Sequence, residues 1–387
     1  MDRRTLIAAA ACALNAQPAP ARKYRAAVIG HTGHGNYGHG LDVVWHAFPN
    51  IEVVAVADAD EAGLVQAITR TKAPRGYRNY RDMLQRERPD LVSIGPRWLD
   101  EHSAMVEAAA FIGSHIYMEK PFARDPAEAD RMVAAVRRAG IKLQIAHQMR
   151  CSPFTRRVEE LIQGGAIGRI QELRARGKED RRAGGEDMMV LGTHLFDMMR
   201  IFAGDPAWVT AHVTQDGEEL AQRHVRQATE PIGPVAGNQI AATFSFDGGV
   251  HGHFASKACA TTHDLRYGLE IVGEKGVIFL PMGIYPNGQP YVLRSPSWLA
   301  IDGAAWEKIE PAPEPEGLLG GNALIANALM VRDLLEAIEQ NRKPVCSEED
   351  GRWTIEMVCG VYAAQKSGGR ESFPLLGRTH PLSRLSG

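Results

Sequence analysis

A glycine-rich turn between two apolar segments limits what this chain can fold into more than any other feature. Residues 24–30 read YRAAVIG and residues 51–57 read IEVVAVA, which predicts two strands buried in a parallel sheet. The turn HTGHGNYGHG lets the backbone bend sharply and approach a phosphate, and the amphipathic stretch 41–48 predicts the helix that follows it. The candidate phosphate-contacting residues are a strand-ending glycine and the three glycines of a G-x-G-x-x-G pattern: Gly30, Gly33, Gly35 and Gly38.

The acidic residue after the second strand bears on which dinucleotide binds. A carboxylate at Asp58 would accept hydrogen bonds from the adenine-ribose hydroxyls and repel a 2′-phosphate. The β-α-β pattern therefore predicts dinucleotide binding, with NAD favoured over NADP. Gly30 precedes the glycine pattern by three residues, so the loop is longer than the usual one. The sequence therefore does not decide which of these glycines touch phosphate.

Strands and helices alternate up to residue 147 and then give way mostly to strands. The first pattern predicts an α/β Rossmann domain, a doubly wound parallel sheet, over residues 22–147. The second domain, residues 148–387, is predicted to be an α/β domain rich in strands with one covered face. The predicted segments are strands at 90–95, 114–120 and 142–147, helices at 101–112, 126–139, 324–340 and 353–366, and a mostly irregular stretch at 281–321.

The first 21 residues predict an export signal. Arg3 and Arg4 precede a short apolar run, and Ala19 and Ala21, or alternatively Ala16, offer a cleavage site. Paired arginines in this place are typical of a twin-arginine (Tat) signal, which would deliver the folded protein to the periplasm. The alternative is an alanine-rich tail on a cytoplasmic protein.

Charge and cysteine content argue against several classes of function. Lys and Arg number 44 and Asp and Glu 46, so the formal charge is −2 and we expect no binding to nucleic acid or to an anionic membrane surface. No apolar run reaches the roughly 18–20 residues of a membrane span. The five cysteines form no C-x-x-C pair, so no zinc or redox motif is predicted.

Four short segments, in order along the chain, carry a resemblance. They are AVAD at 55–58, Glu119-Lys120-Pro121, GGAIGRIQEL at 164–173 and LEIVGEKGVI at 269–278. Together they make the chain similar to the glucose–fructose oxidoreductase / inositol dehydrogenase / MocA family. The resemblance implies a Rossmann domain followed by an α/β domain with an open, mostly antiparallel sheet. It also implies hydride transfer between a nicotinamide cofactor and a sugar or cyclitol, and a homo-oligomer formed through that sheet.

The resemblance places Lys120 beside the substrate hydroxyl and the nicotinamide. A hydroxyl whose carbon loses hydride must also lose its proton, and a lysine whose pKa is lowered can accept that proton. Glu119 and Pro121 are expected to shape the turn at the cofactor, and the bond between Lys120 and Pro121 is a candidate for cis. The alternative is a surface lysine at a strand end.

The segment GGEDMMVLGTHLFDMMRIF at 184–202 predicts a helix that carries a second site residue. Typical members of the resembled family have Asp-x-x-x-His there; His194 matches the histidine, but Val190 stands at the aspartate position. Asp187 would lie roughly 10 Å from His194 along a helix, too far for a simple replacement. Asp197 is expected either to orient His194 and contact substrate or to be structural.

Other polar or aromatic residues near the predicted sheet edge are candidate substrate contacts. His147 and Arg150 follow a strand at the carboxyl edge, where ligands bind in such sheets. Trp98 belongs to what reads as an insertion over the nicotinamide, and His102 opens the next helix. No metal site is predicted. The turn histidines His31, His34 and His39 are expected to be solvated, and His251 with His253 lacks a third ligand.

Three functions remain in competition at this point. The first is an NAD-dependent (with NADP less favoured) oxidoreductase acting on a sugar or cyclitol hydroxyl. The second is an NAD-recycling glycoside hydrolase or lyase, which oxidises a hydroxyl, eliminates a neighbouring group and returns the hydride. Val190 and the export signal favour the second, because free NAD is scarce outside the cytoplasm. The third is a binding or regulatory protein without turnover.

Overall fold

The structure, a computed structural model, describes residues 22–259, 266–314, 316–318 and 325–384. The predicted export signal, residues 1–21, lies outside these ranges. Within them the chain forms two large sheets, one parallel and one mixed. No helix in the described ranges is both long enough and apolar enough to cross a bilayer.

The N-terminal domain is a parallel sheet covered by helices on both faces. Its strands are β1 (Tyr24–Ile29), β2 (Ile51–Ala57), β3 (Gly76–Tyr77), β4 (Leu91–Ile94), β5 (His115–Met118) and β6 (Leu143–Ile145), and its helices are α1 (Glu61–Thr71), α2 (Tyr80–Glu87), α3 (His102–Phe111) and α4 (Pro126–Ala139). The strand order β3-β2-β1-β4-β5-β6 reverses between β1 and β4, which confirms the doubly wound topology. The loops after β1, β4 and β5 therefore meet at one edge.

The predicted helix at 41–48 is wrong. Only Val44–Ala47 forms a single 3₁₀ turn, and the residues before it form successive turns. In the turn that leads into this segment, four glycines have φ values between 64° and 88°, so a right-handed helix is disfavoured up to residue 40. These residues are Gly33, Gly35, Gly38 and Gly40.

The second domain is built on a ten-stranded sheet. Its strands are β7 (Ile170–Arg176), β8 (Trp208–Gln215), β9 (Glu218–Glu219), β12 (Gln239–Ser245), β13 (His251–Lys257), β14 (Gly268–Gly273), β15 (Gly276–Pro281), β16 (Tyr291–Leu293), β17 (Trp306–Lys308) and β18 (Glu371–Ser372), and a separate pair is β10 (Arg226–Gln227) with β11 (Pro234–Val235). Only β7 and β13 pair in parallel among the described strands of this sheet. Exposed and buried residues alternate along β12. This confirms an open, mostly antiparallel sheet, and β16 and β17 add two strands within the stretch predicted to be irregular.

Helices of the second domain cover one face of its sheet and also contact the first domain. They are α5 (Pro153–Gln163), α6 (Gly185–Asp187), α7 (Thr193–Ala203), α8 (Ile325–Glu339) and α9 (Glu348–Ser367), with a π-helical turn, Met188–Gly192, between α6 and α7. Phe196 of α7 packs on Phe244 and Phe254 with ring centroids 5.3 and 4.9 Å apart. Tyr117 of β5 donates a hydrogen bond to Asn327 of α8 at 2.6 Å. The carboxyl edge of the parallel sheet thereby faces the second domain.

Candidate active site

Lys120 lies directly after β5, where the parallel sheet meets the second domain. Its bond to Pro121 is cis, as expected from the motif. The residue is 6% exposed, and Nζ donates a hydrogen bond to the carbonyl oxygen of Val190 at 3.1 Å. Burial lowers the pKa of Lys120, opposed in part by the negative charge of Glu119. A buried amine with a lowered pKa can act as a proton acceptor.

Glu119 holds the turn on which Lys120 stands. Its Oε1 accepts hydrogen bonds from the backbone N and the ring Nδ1 of His39, both at 2.7 Å, and Oε2 accepts one from the backbone N of Lys120. Burial alone would raise the pKa of Glu119, but the hydrogen bond and charge of His39 outweigh it and lower that pKa. Gly38 must lack a side chain here, because a Cβ would lie 2.4 Å from Glu119 Cγ. We call His39, Glu119 and Lys120 the β5-end cluster.

The π-helical turn supplies the acceptor for Lys120. The carbonyl oxygens of Val190 and Leu191 accept hydrogen bonds from Lys120 Nζ and from the hydroxyl of Tyr267, the latter at 2.9 Å. A π turn shifts carbonyl groups out of the regular α-helical pattern and is frequent at functional sites. Residue 190 therefore contacts Lys120 through its backbone, although its side chain is an apolar valine.

His194, in the first turn of α7, lines the same cavity as Lys120. Burial first, and then the positive charge of Lys120, lower the pKa of His194 well below its usual value. The ring is therefore neutral at physiological pH and offers one donor and one acceptor. The ring centroid of His147 lies 4.9 Å from that of His194.

His147 is buried, and within the described structure neither ring nitrogen has a hydrogen-bond partner. Its Nδ1 is 3.6 Å from Asp197 Oδ2, which is too long for a hydrogen bond. Burial lowers the pKa of His147 to about 4, although the charge of Asp197 opposes this. His147 is not among the residues that line the cavity, so it contacts the ring of His194 and not the cavity itself.

Arg150 and Asp197 belong to a buried network of charges. Arg150 donates to both carboxylate oxygens of Asp197 at 2.7–3.0 Å, to the carbonyl of Val345 and to Asp350. Arg200 adds a second cation at Asp350, 3.1 Å away. The side chains of Arg150 and Asp197 are 10% and 1% exposed. We call Arg150, Asp197, Arg200 and Asp350 the Asp197 network.

This network changes the interpretation of two predicted site residues. The nitrogens of Arg150 already donate to protein acceptors, and Asp197 faces Arg150 and His147 rather than His194. Neither side chain lines the cavity. Their predicted contact with substrate has no support in this geometry, because forming it would break a buried ion pair.

A cavity of about 410 Å³ joins Lys120 and His194. Both domains contribute to it, and several lining residues have no counterpart among the candidates predicted from the sequence. Tyr267 and residues 281–288 are the main omissions. For residues 281–288, the cluster of Gly and Pro directly after a predicted strand is the one signal in the sequence that could have indicated a functional loop. The lining residues are His39, Lys120, Gln148, Met149, Lys178, Leu191, His194, Tyr267 and residues 281–285, 287 and 288.

The four glycines of the turn have different surroundings. At Gly33, where φ is +78°, nothing lies within 4 Å of the position that a Cβ would occupy, so there is open space beside its backbone, although its N–H already donates to Asn36 Oδ1 at 3.0 Å. A Cβ at Gly30 would meet the ring of Tyr37 at 2.0 Å, and one at Gly35 would meet the backbone N of Arg97 at 2.6 Å. Gly30 and Gly35 are therefore needed for packing of the turn itself, as Gly38 is.

Asp58 lines a pocket of about 220 Å³ beside the turn. Its carboxylate accepts hydrogen bonds from the backbone N and hydroxyl of Thr32, from the hydroxyl of Tyr37 and from the backbone N of Asp60. Burial alone would raise the pKa of Asp58, but these hydrogen bonds outweigh it and lower that pKa, so the group is ionised. A ribose hydroxyl would have to displace Thr32 or Tyr37, whereas the charge still disfavours a 2′-phosphate.

The three turn histidines are each paired with a carboxylate, contrary to the expectation that they are simply solvated. His31 contacts Glu101 at 3.0 Å, His34 contacts Asp100 at 2.8 Å, and His39 contacts Glu119 at 2.7 Å. These pairs connect the turn to the loops after β4 and β5. Among the described residues, the one group of three that could hold a metal ion is His31, His34 and Glu101, with one candidate ligand atom from each within 4.8 Å of the others.

Trp98 and His102 lie outside the cavity lining. Trp98 is half-buried and its ring meets His34 edge-on, with centroids 4.2 Å apart. His102 is fully buried, and its ring nitrogens face the carbonyl oxygens of Pro96 at 2.7 Å and Phe122 at 3.3 Å. Both residues therefore hold the loops around the turn, and a direct contact with substrate has no support in this arrangement.

Two relatives illustrate what the chain is similar to. D-apiose dehydrogenase of Paraburkholderia graminis is 29% identical over 222 residues, which cover 55% of this chain and 58% of that protein. Levoglucosan dehydrogenase of Pseudarthrobacter phenanthrenivorans is 28% identical over 201 residues, or 46% and 52%. The chain thus spans slightly more than half the length of these two relatives.

The fold and both domains have counterparts among known proteins. A solved levoglucosan dehydrogenase in complex with NADH superposes with a TM-score of 0.74 at 20% identity, over 92% of this chain and 100% of that one, which shows the same fold. The oxidoreductase family with the NAD-binding Rossmann fold matches residues 24–147, and the GFO/IDH/MocA C-terminal domain matches residues 155–279. Because these two matches follow one another and together cover most of the chain, the chain belongs to the Gfo/Idh/MocA family of oxidoreductases.

Proposed function

We propose that the protein is an NAD-dependent oxidoreductase acting on a hydroxyl of a sugar, cyclitol or sugar derivative. The observation that carries the proposal is a buried amine, Lys120, facing a neutral imidazole, His194, across one cavity. The names of the relatives, which include a myo-inositol 2-dehydrogenase from Thermotoga maritima, support the substrate class.

The residues around the turn fit NAD. The open space beside Gly33 lets a pyrophosphate approach the turn, and the pocket that Asp58 lines lies after β2, where the adenine ribose would bind. The cavity at Lys120 adjoins the carboxyl ends of the parallel strands, where a nicotinamide and a substrate would meet. When bound, NAD supplies the hydride acceptor.

Lys120 accepts the proton of the hydroxyl whose carbon loses hydride. Its Nζ is held by the Val190 carbonyl, which leaves the nitrogen lone pair of the neutral amine for the substrate. His194 positions the same hydroxyl by a hydrogen bond, and in the reverse reaction the Lys120 ammonium returns the proton. Glu119 keeps this turn in place through His39.

The test is NADH formation from a panel of sugars, cyclitols and sugar acids, followed by absorbance. We expect Lys120→Ala to lower kcat by roughly 10²–10⁴-fold while NAD affinity changes little. Lys275→Ala, which removes an exposed lysine of the β14–β15 turn, is the matched control and should leave kcat unchanged. An unchanged kcat in Lys120→Ala would remove Lys120 from the chemistry, and NAD binding without any turnover would favour a binding protein.

The NAD-recycling cleavage of a glycoside is the second candidate. It is supported by Val190 at the position of the usual aspartate and by the predicted export signal, because free NAD is scarce outside the cytoplasm. Denaturing the purified protein and measuring released nicotinamide tests retention. Stoichiometric NAD together with aglycone release and no net NADH would select this candidate over the first.

We also propose that the protein is exported through a twin-arginine signal. The support is the Arg3-Arg4 pair before a short apolar run. Cell fractionation should find the protein in the periplasm, and replacing both arginines by lysine should leave it in the cytoplasm. Equal fractionation of the two forms would contradict export by this route.

A homo-oligomer formed through the open sheet is a further part of the proposal. The uncovered face bears a shallow concavity of about 930 Å³ with charges of both signs, among them Glu172, Arg174 and Glu270. Two copies related by a two-fold axis would place such charges opposite one another. Light scattering of the purified protein should give a dimer or larger species, and Arg174→Glu should shift it toward monomer.

A further inference from the structure

The cavity at Lys120 is lined by residues of two kinds. The polar ones include the groups proposed to handle the hydroxyl, Lys120 and His194, together with His39 and Gln148. Met149, Leu191, Tyr267 and the loop 281–288 contribute mainly apolar surface, with Lys178 and Asn287 as further polar members, and we call Tyr267 and this loop the apolar wall. No Asp or Glu is among the cavity-lining residues that the structure describes.

The loop 281–288 is held in place by contacts within the protein. The backbone N of Met282 donates to the carbonyl of Tyr267, and that of Asn287 donates to Ile284, each at 2.9 Å. The ring of Tyr285 packs edge-on against Phe154 with centroids 5.3 Å apart. The loop therefore presents a preformed surface to the cavity.

Both tyrosines of this wall use their hydroxyl hydrogens inside the protein. Tyr267 donates to the carbonyl oxygen of Leu191 at 2.9 Å, and Tyr285 donates to Glu314 at 2.5 Å. Ile284 lines the cavity and is 46% exposed, so part of its apolar surface is accessible to a ligand. Sugar hydroxyls placed against the side chains of Met282 and Ile284 or the ring of Tyr285 would lose water without gaining a partner, which is unfavourable.

We propose that the cavity takes a glycoside with an apolar aglycone, the sugar directed at Lys120 and His194 and the aglycone seated against Met282, Ile284 and Tyr285. This inference rests on the proposed function for the orientation of the sugar. The aglycone covers apolar protein surface that a free monosaccharide would leave exposed to water, and the aglycone itself needs no hydrogen-bond partner there. The cavity volume of about 410 Å³ is in the range of a ligand larger than one small polar molecule.

The experiment compares matched glycosides that differ only in the aglycone. Methyl and phenyl glycosides of glucose, galactose and xylose, in both anomers, are titrated calorimetrically into the protein loaded with NADH, which cannot accept a hydride from them. For at least one sugar we expect the phenyl glycoside to bind roughly tenfold or more tightly than its methyl counterpart. Equal affinities across the panel, or no phenyl glycoside binding at all, would overturn the proposal.

A variant pair assigns the preference to this wall. Ile284→Ser should reduce the phenyl-to-methyl affinity ratio several-fold, whereas Leu299→Ser, at another exposed aliphatic residue that does not line the cavity, should keep it. If both Ile284→Ser and Met282→Gln kept the phenyl-to-methyl affinity ratio of the wild type, the aglycone would not bind against this wall. Because binding is measured without turnover, a phenyl preference in a protein that forms no NADH would uphold this inference and count against the proposed reaction.

Discussion

Two buried polar clusters flank His194, and they are built in opposite ways. The β5-end cluster opens on the cavity, and its Lys120 is held by a single carbonyl beside one carboxylate. The Asp197 network is closed: Arg150 is saturated by protein acceptors and Asp350 is shared between two arginines. A group with spare hydrogen-bonding capacity next to a cavity can act on a substrate. A group whose capacity is used inside the protein can only position others.

The largest expected effect falls on stability at the closed cluster. Asp197→Ala leaves Arg150 buried without its main partner, and we expect the free energy of unfolding to fall by about 3–5 kcal/mol. Urea unfolding measures this loss. Glu160→Ala, which breaks an exposed ion pair with Arg157, should change stability by less than about 1 kcal/mol. A comparably small loss for Asp197→Ala would show that the network is not closed.

The next effect is the pH dependence contributed by His147. Its pKa is about 4 in the folded protein and 6.5 when unfolded, so between these values the unfolded state binds more protons. Stability therefore falls as the pH decreases from 6.5 to 4, by an amount on the order of 3 kcal/mol for this residue. His147→Gln should reduce that loss in urea unfolding at pH 7 and pH 5.

His115 provides the matched control for His147. Burial also lowers the pKa of His115 to about 4, but this residue starts β5 away from the cavity. His115→Gln should likewise reduce the acid sensitivity of folding, yet only His147→Gln should lower turnover, through His194. If His147→Gln and His115→Gln had the same turnover, His147 would have no effect on catalysis through His194.

A smaller, directional effect is expected at the open cluster. Oxidation requires neutral Lys120, so the rate should rise with pH through the pKa of Lys120. The charge of Glu119 raises that pKa, and Glu119→Gln should therefore move the rising limb of kcat/KM to lower pH. Glu101→Gln, which removes the carboxylate facing His31, is the control. If the rising limb of kcat/KM in Glu119→Gln moved to higher pH instead, a group other than Lys120 would control the rate.

The smallest effect concerns the choice of cofactor. Asp58→Ala should weaken NAD several-fold and narrow its advantage over NADP, because the negative charge near the ribose site is lost. Asp60→Ala removes the neighbouring carboxylate, which caps α1 through Gly63, and should cost about 1 kcal/mol of stability without changing the cofactor ratio. Dissociation constants for both cofactors, measured by fluorescence, decide between these outcomes.

The parts of the site that lie at strand ends were predictable. Lys120 follows β5 and His147 follows β6, and the carboxyl ends of parallel strands meet at one edge whatever the side chains are. Continuous apolar runs were sufficient to predict β1 and β2, and the helix α4 was predicted within its observed bounds. The glycine-rich turn was harder. Its pattern matched a fingerprint, but only the surrounding residues show that Gly30, Gly35 and Gly38 serve packing while Gly33 is open.

Contacts between segments far apart in the chain were not predictable. Arg150 and Asp197 are 47 residues apart in the chain, and their pairing removes both from the cavity. The contact between Lys120 and the backbone of residue 190 spans 70 residues and depends on a π turn, which no residue pattern announces.

The amino-acid sequence by itself determined the two-domain α/β architecture, because hydrophobic periodicity and local turn chemistry act over a few residues. The family and the place of Lys120 in the site came from the resemblance of short segments such as Glu119-Lys120-Pro121. Tertiary structure alone decided which charges are consumed in the Asp197 network, which nitrogens of His147 stay without partners, and that the loop 281–288 lines the same cavity as Lys120. Those properties arise from packing between segments far apart in the chain, where burial and competing partners set what each group can still bind.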